Sequence, residues 1–269
     1  MVFDGRPRFM NRRILIIDDH DDLATALEEV FTAMGHSVAL LQSRADALEV
    51  PNFEQFDLVI TDLDVQSVRS PNLNGSNAPP EMEGEHIKAF KVSAANFTRS
   101  EFDESELKDI VATLLDYKAR HIDKKEFMHE LHEHIEFELP SAISLMHIVL
   151  EYLLKRVEKL GVVKSEQSNL FVALDEAFVN AVKHGNKFDV KKLVRVIAEV
   201  SSQEARFTIE DEGEGFDVNA IPDPLDPANL FKTSGRGVLF IYNIMDEVKY
   251  NERGNRLTMI KRSDQENTA

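Results

Sequence analysis

The sequence predicts two folds in series: an α/β half built on a flavodoxin-like parallel sheet, then an α+β sandwich with helices on a largely antiparallel sheet. Three observations carry this. Up to about residue 120, short apolar runs that end in acids alternate with helix-period segments. Beyond that point, two long helix-period segments are followed by strands joined through polar turns. The length of 269 residues, with 43% hydrophobic and 29% charged side chains, suits two ordinary cores.

The first half reads as follows. After Arg13 comes ILIIDD, a strand ending in acids, then a helix from Leu23 to Met34 closed by Gly35. A second strand spans Val38 to Leu41, a helical piece covers Ala45 to Leu48, and DLVITD forms a third strand ending at Asp62. From Val65 to Glu85 the chain is rich in Pro, Asn, Ser and Gly without periodicity, which predicts a long mobile loop over 65–85. IKAFKVSA is a candidate strand. In DESELKDIVATLLDYK, Asp103 and Glu106 have the spacing of a capping box for a helix reaching about Arg120. These elements make a first domain over 1–121.

In the second half, HIEFELP places Ile135, Phe137 and Leu139 on one side of a strand. Helix signals run from Ser141 to Leu160, stopped by Gly161, and from Glu166 to His184, stopped by Gly185. KLVRVIAEVSS and ARFTIEDEG are two strands across a polar turn. A loop, a helix from Gly237 to Met245 and the strands VKYNE and RLTMIKR complete a domain over 122–264, with 265–269 as a tail.

Composition excludes several functions. The formal net charge of -17, with no dense basic patch, opposes binding to nucleic acid or anionic lipid. The absence of cysteine removes disulfides and thiolate metal chemistry, which fits a reducing compartment. No run approaches the roughly 20 apolar residues of a membrane span, and the first residues lack the apolar core of a signal peptide. A cytoplasmic protein is the expectation.

The helix LDEAFVNAVKHGN carries the chemistry. Glu176, Asn180 and His184 follow one another at intervals of four, so they share one face, while Leu174, Phe178, Val179 and Val182 cover the rest. Asp211 ends a strand ahead of Glu212-Gly213-Glu214-Gly215, where glycines let a flat ring approach the backbone. Gly235-Arg236-Gly237 opens a helix whose free N–H groups suit phosphate oxygens. The preceding IPDPLDPANLFKTS has the composition of a lid. His184, at the helix end, suits a structural role at free carbonyls.

DEAFVNAVKHGN, IEDEGEGF and GRGVLFIYNIMDEV, in this order, resemble the nucleotide-binding boxes of the GHKL ATPase superfamily, and their wording is similar to its anti-sigma-factor serine kinase branch. The resemblance covers about Phe127 to Arg262. It implies that Asp211 accepts a hydrogen bond from the adenine amino group, that Asn180 ligates Mg²⁺ through its amide oxygen, and that Glu176 activates the attacking hydroxyl. It further implies phosphate contacts from Lys183 and Arg236, a phosphate or ring approach at Gly213, Gly215, Gly235 and Gly237, and a water-mediated adenine contact from Thr258.

ILIIDDHDD with DLVITD resembles a response-regulator receiver domain. That resemblance assigns Asp18, Asp19 and Asp62 to Mg²⁺ and makes Asp62 the candidate phosphoacceptor. The pattern then departs: Ser100 stands where a receiver has lysine, Lys88 and Lys91 have the wrong spacing, and the chain after Asp62 is short for a full fourth strand and helix. A degenerate docking or dimerising module is the alternative.

Together these imply an ATP- and Mg²⁺-dependent, receiver-regulated serine/threonine kinase. Its partners would be an antagonist protein that it phosphorylates, a sigma factor that it sequesters, and an upstream phosphodonor kinase, with a homodimer expected from both families. A nucleotide-binding sequestering module without transfer is the alternative. A histidine-kinase-like reading rests on His129-Glu130-Leu131, but only about fifty residues separate His129 from Asn180, too few for the required helical hairpin. The neighbouring His132 and His134 flank a predicted strand rather than a metal site.

Overall fold

The computed structural model describes residues 11–20, 22–66, 86–99, 102–123, 132–163, 169–218 and 236–263. The predicted loop over 67–85, Ser100, His129, the lid segment, Gly235 and the tail lie outside them.

The first half is formed by β1 (Arg13–Asp18), α1 (Asp22–Ala33), β2 (Ser37–Leu41), α2 (Arg44–Leu48), β3 (Leu58–Gln66), β4 (His86–Ser93) and α3 (Glu104–Tyr117). β5 (His132–Pro140), α4 (Ile143–Lys159), α5 (Leu170–Val179), β6 (Leu193–Val200) and β7 (Glu204–Asp211) open the second. α6 (Arg236–Ile244), β8 (Glu247–Tyr250) and β9 (Arg256–Arg262) close it. Among the described residues the strands form one sheet in the order β2-β1-β3-β4-β5-β6-β7-β9-β8.

β1 pairs in parallel with both β2 and β3, which brings Asp18 opposite Asp62. β4 then runs antiparallel to β3, a departure from an all-parallel receiver-like sheet. A parallel return needs a crossover, usually a helix, and the sequence between Gln66 and His86 carries no helical period. β3 itself continues through Val65 and Gln66, two residues into the span predicted as loop. The kinase-like half is antiparallel from β5 through β8.

β4 pairs in parallel with β5, so the sheet passes the expected junction near residue 121 without a break. One apolar cluster follows it: Ile14, Ile16 and Ile60 share a core with Phe90, Phe137, Leu150 and Phe207. α1, α3, α4, α5 and α6 contribute to this cluster, whereas Ala47 of α2 packs on the opposite face with Leu15, Ile17 and Leu63. Strand alternation explains the two faces: Leu58, Ile60 and Asp62 point to the large core and Val59 and Leu63 away from it.

α3 is fixed by charge as well as packing. Asp103 caps it, accepting from the N–H groups of Ser105 and Glu106. Glu106 does not complete the predicted capping box, because its carboxylate is buried against Arg12 at 2.7 Å. The Arg12 guanidinium lies over the Phe97 ring.

Candidate functional site

A cleft of about 370 Å³ lies between α5, the β7–α6 connection and the β8–β9 turn. Its helical wall is Ala177, Asn180, Ala181 and His184, the i, i+3, i+4, i+7 rows of one face. α5 ends as an α-helix at Val179, and Asn180–Gly185 form a π-helical turn. Such turns recur at functional sites. Here Asn180 and His184 reach the cleft, whereas Lys183 is exposed and outside its lining. His184, assigned a structural role by position alone, is a wall residue.

Asp211 stands at the floor. Burial pushes its carboxyl above the ordinary carboxylate range, partly offset by the Gly213 N–H, which donates to Oδ1 at 2.8 Å. Gly185 backs directly onto the Asp211 carboxylate, and Gly213 onto the Gly185 carbonyl, so a Cβ at either position would overlap them. Gly185→Ala should therefore displace the carboxylate and cost about 1–3 kcal/mol by overpacking. Urea unfolding and a nucleotide titration on the same variant measure both effects.

The base of the cleft closes where two turns cross. Gly215 (φ 77°) leaves no room for a side chain against the Arg253 carbonyl, and Gly254 (φ 76°) none against Phe216. The Phe216 and Tyr250 rings meet edge to face beside them. Asn255, absent from the sequence reading, clips this turn to β7: its Nδ2 donates to the Asp211 carbonyl at 2.8 Å while its Oδ1 accepts from Asn251. Asn186 does the same at the other end, its buried amide joining Ser141, Leu193 and the N–H of Glu212. A lone polar residue beside glycine is the sequence signal for both, and it is too common to act on.

Thr258 requires a correction. It lies on the opposite face of β9 from Leu257, and its hydroxyl bonds to Thr208 at 3.2 Å. The cleft is lined by Leu257 and Asn255 instead. Glu176 does not line the helical wall; it reaches the first turn of α6, where a Cβ on Gly237 would overlap its Oε2. A carboxylate there faces the positive end of that helix. Of Arg236 only the backbone is described.

The receiver-like acids are arranged differently from the predicted triad. Asp18 is buried, and its oxygens accept from the N–H groups of His20, Leu23 and Ala24 at the start of α1. Asp19 and His20 pair at 2.6 Å, and the ligand atoms of Asp18, Asp19 and His20 lie within 4.8 Å of one another. Asp62 is not in that group: it is 4% exposed and bound to Lys118 Nζ at 2.8 Å. The ammonium hydrogen-bonded to Asp62 thus comes from Lys118, beyond α3, and Lys88 also acts on that carboxylate electrostatically. His134 sits on the open sheet face beside Glu136. There Lys91 and Arg195 also donate to Glu136 and help hold its carboxyl far below the ordinary range.

Comparison with known proteins agrees with this geometry. Residues 139–261 match the model of the histidine kinase-like ATPase domain and residues 14–136 that of the response regulator receiver domain. Serine-protein kinase RsbW of Staphylococcus epidermidis is 30% identical over 145 residues, covering 50% of this chain and 89% of the relative. The chain belongs to the anti-sigma-factor serine kinase family. RsbW of Staphylococcus aureus strain JH9 is 26% identical over the same length and coverage. The ATPase-type domain and the kinase relatives imply ATP binding. The receiver match adds a second domain in front of it. Among the described residues no helix is long and apolar enough to cross a membrane.

Proposed function

We propose that this protein is a cytoplasmic, ATP-dependent protein serine kinase that phosphorylates an antagonist protein and sequesters a sigma factor, with the receiver-like half as its input. The placement of Glu176 carries the reading: its carboxylate adjoins the α6 N-terminus, the natural seat for phosphate oxygens, one turn from Asn180 in the cleft wall. A base that removes a proton from a hydroxyl attacking the terminal phosphate must stand beside those oxygens. Asp211 would accept from the adenine amino group, and the glycines around it leave room for a flat ring.

The cleft fits Mg²⁺. Asn180 offers one neutral oxygen at its wall, and Mg²⁺ takes few protein ligands while keeping waters and phosphate oxygens. Bound there with ATP, it would supply charge neutralisation on the phosphates. The chain's own contributions are Asp211 orienting the base and Glu176 holding the proton of the partner's serine at its carboxylate.

Transfer of labelled phosphate from ATP to the serine of a candidate antagonist tests this. Asn180→Ala should lower the rate by about 10–100-fold, the cost of one charge-assisted contact. Glu176→Gln should lose about 10²–10⁴-fold with nucleotide affinity kept. Binding of ATP without any labelled serine in the unaltered protein would instead leave a sequestering module.

A further inference from the structure

A chain of buried charges runs from the receiver-like half into the kinase half. Lys118, in the π-helical turn Lys118–Ile122 that continues α3, binds Asp62 at 2.8 Å and approaches Asp123 at 3.4 Å. Asp123 meets Arg156 of α4 at 3.2 Å, and Arg156 in turn grips Glu133 of β5, its Nε at 2.9 Å and its Nη2 on the other oxygen. All five side chains are at most 5% exposed. The series crosses from β3 to β5, two strand spacings or about 10 Å, on the helix side of Phe90, whose ring lies under the Lys118 ammonium.

Within the series three carboxylates face two cations, away from water, where an uncompensated charge is strongly unfavourable, and Lys88 also acts on Asp62 from outside it. Lys118 sits between two acids and hydrogen-bonds to Asp62, and among the described residues Oδ1 of Asp62 and both oxygens of Asp123 have no hydrogen-bond partner. β4 pairs with β5 in one sheet, and one core underlies both halves.

We infer that this five-residue series is the regulatory link of the protein: a change of charge at Asp62 redistributes Lys118 between Asp62 and Asp123, and Arg156 and Glu133 pass the change to α4 and β5. A cation placed between two acids, 2.8 Å from one and 3.4 Å from the other, is the kind of element that coupling between sites requires. The inference rests on the proposed kinase reading only for its purpose. Neutralising Asp62 frees Lys118 for Asp123, which loosens the hold of Asp123 on Arg156.

Hydrogen exchange on the full chain, without nucleotide, tests the link. Asp62→Asn should change protection several-fold at amides near Arg156 in α4 and near Glu133 in β5, beyond the change caused by Ile16→Val, which loosens the same core without touching charge. In an Asp123→Asn background the effect of Asp62→Asn on α4 should vanish. Changes confined to β1, β3 and α3, or equal to those of Ile16→Val, overturn the inference. Should Asp62→Asn not fold, Asp123→Asn carries the test from the middle: exchange must change at both Asp62 and Glu133, and a one-sided change is contrary. A parallel ATP titration separates the two readings, because loss of the kinase reading appears as no binding by any variant, whatever the exchange pattern.

Discussion

Arg156→Met should destabilise the protein by about 3–5 kcal/mol, the usual consequence of removing one partner from a buried ion pair. Arg156 is 2% exposed and is the cation for both Asp123 and Glu133. Methionine replaces much of its volume but none of its charge, so two carboxylates are left in the interior and one must protonate or draw in water. The midpoint of urea unfolding should fall with little change in slope. The double variant Arg156→Met with Glu133→Leu should recover most of the loss, since the orphaned acid is removed and Asp123 still has Lys118. A surface pair gives the contrast: Arg256→Ala frees the partly exposed Glu210 and should cost under about 1 kcal/mol. A loss below that value for Arg156→Met would mean the series is hydrated or already neutral.

The fold was legible where periodicity and burial agree. β1 and β3 read as apolar runs because one face meets the helices and the other meets α2. β6 and β7 alternate because only one face is covered, and Val194, Val196 and Ala198 occupy it. The direction of β4 was not legible, since a strand's pattern is the same in either direction and only the connection decides. Nor could pattern show that β4 and β5 join the two halves, because pairing partners far apart in sequence leave no local mark.

Two of the cleft-lining residues, Asn180 and Asp211, were legible as polar side chains within or at the end of an apolar element. Thr258 failed for a simple reason. A period of two places Leu257 and Met259 on the core face and puts Thr258 on the other. Lys118 was invisible because it reads as the polar end of a helix, and its burial depends on Asp62, 56 residues away, together with Asp123. Asn186 and Asn255 were missed similarly: each is satisfied by backbone groups from several elements, and no spacing rule encodes that.

Asp211→Asn should separate binding from stability. On the proposed function the carboxylate accepts from the adenine amino group, a charge-assisted contact whose loss should weaken ATP binding by about 10–100-fold. Stability should move the other way or not at all. The folded carboxyl titrates above its unfolded value because burial disfavours its charge. Stability from this group is therefore greatest below the unfolded value and falls as pH rises toward the folded one, so near neutrality the ionised group is a cost to the fold. Asparagine removes that cost and keeps an oxygen to accept from the Gly213 N–H. Calorimetric titration with ATP should show the weakened binding, and thermal unfolding an equal or higher midpoint. For the unaltered protein, ATP affinity should also fall as the pH drops into the range where Asp211 protonates, a dependence that Asp211→Asn should abolish. A residue kept charged against its own burial is spending stability on recognition, and a variant that lost stability while binding ATP normally would place Asp211 in the scaffold instead.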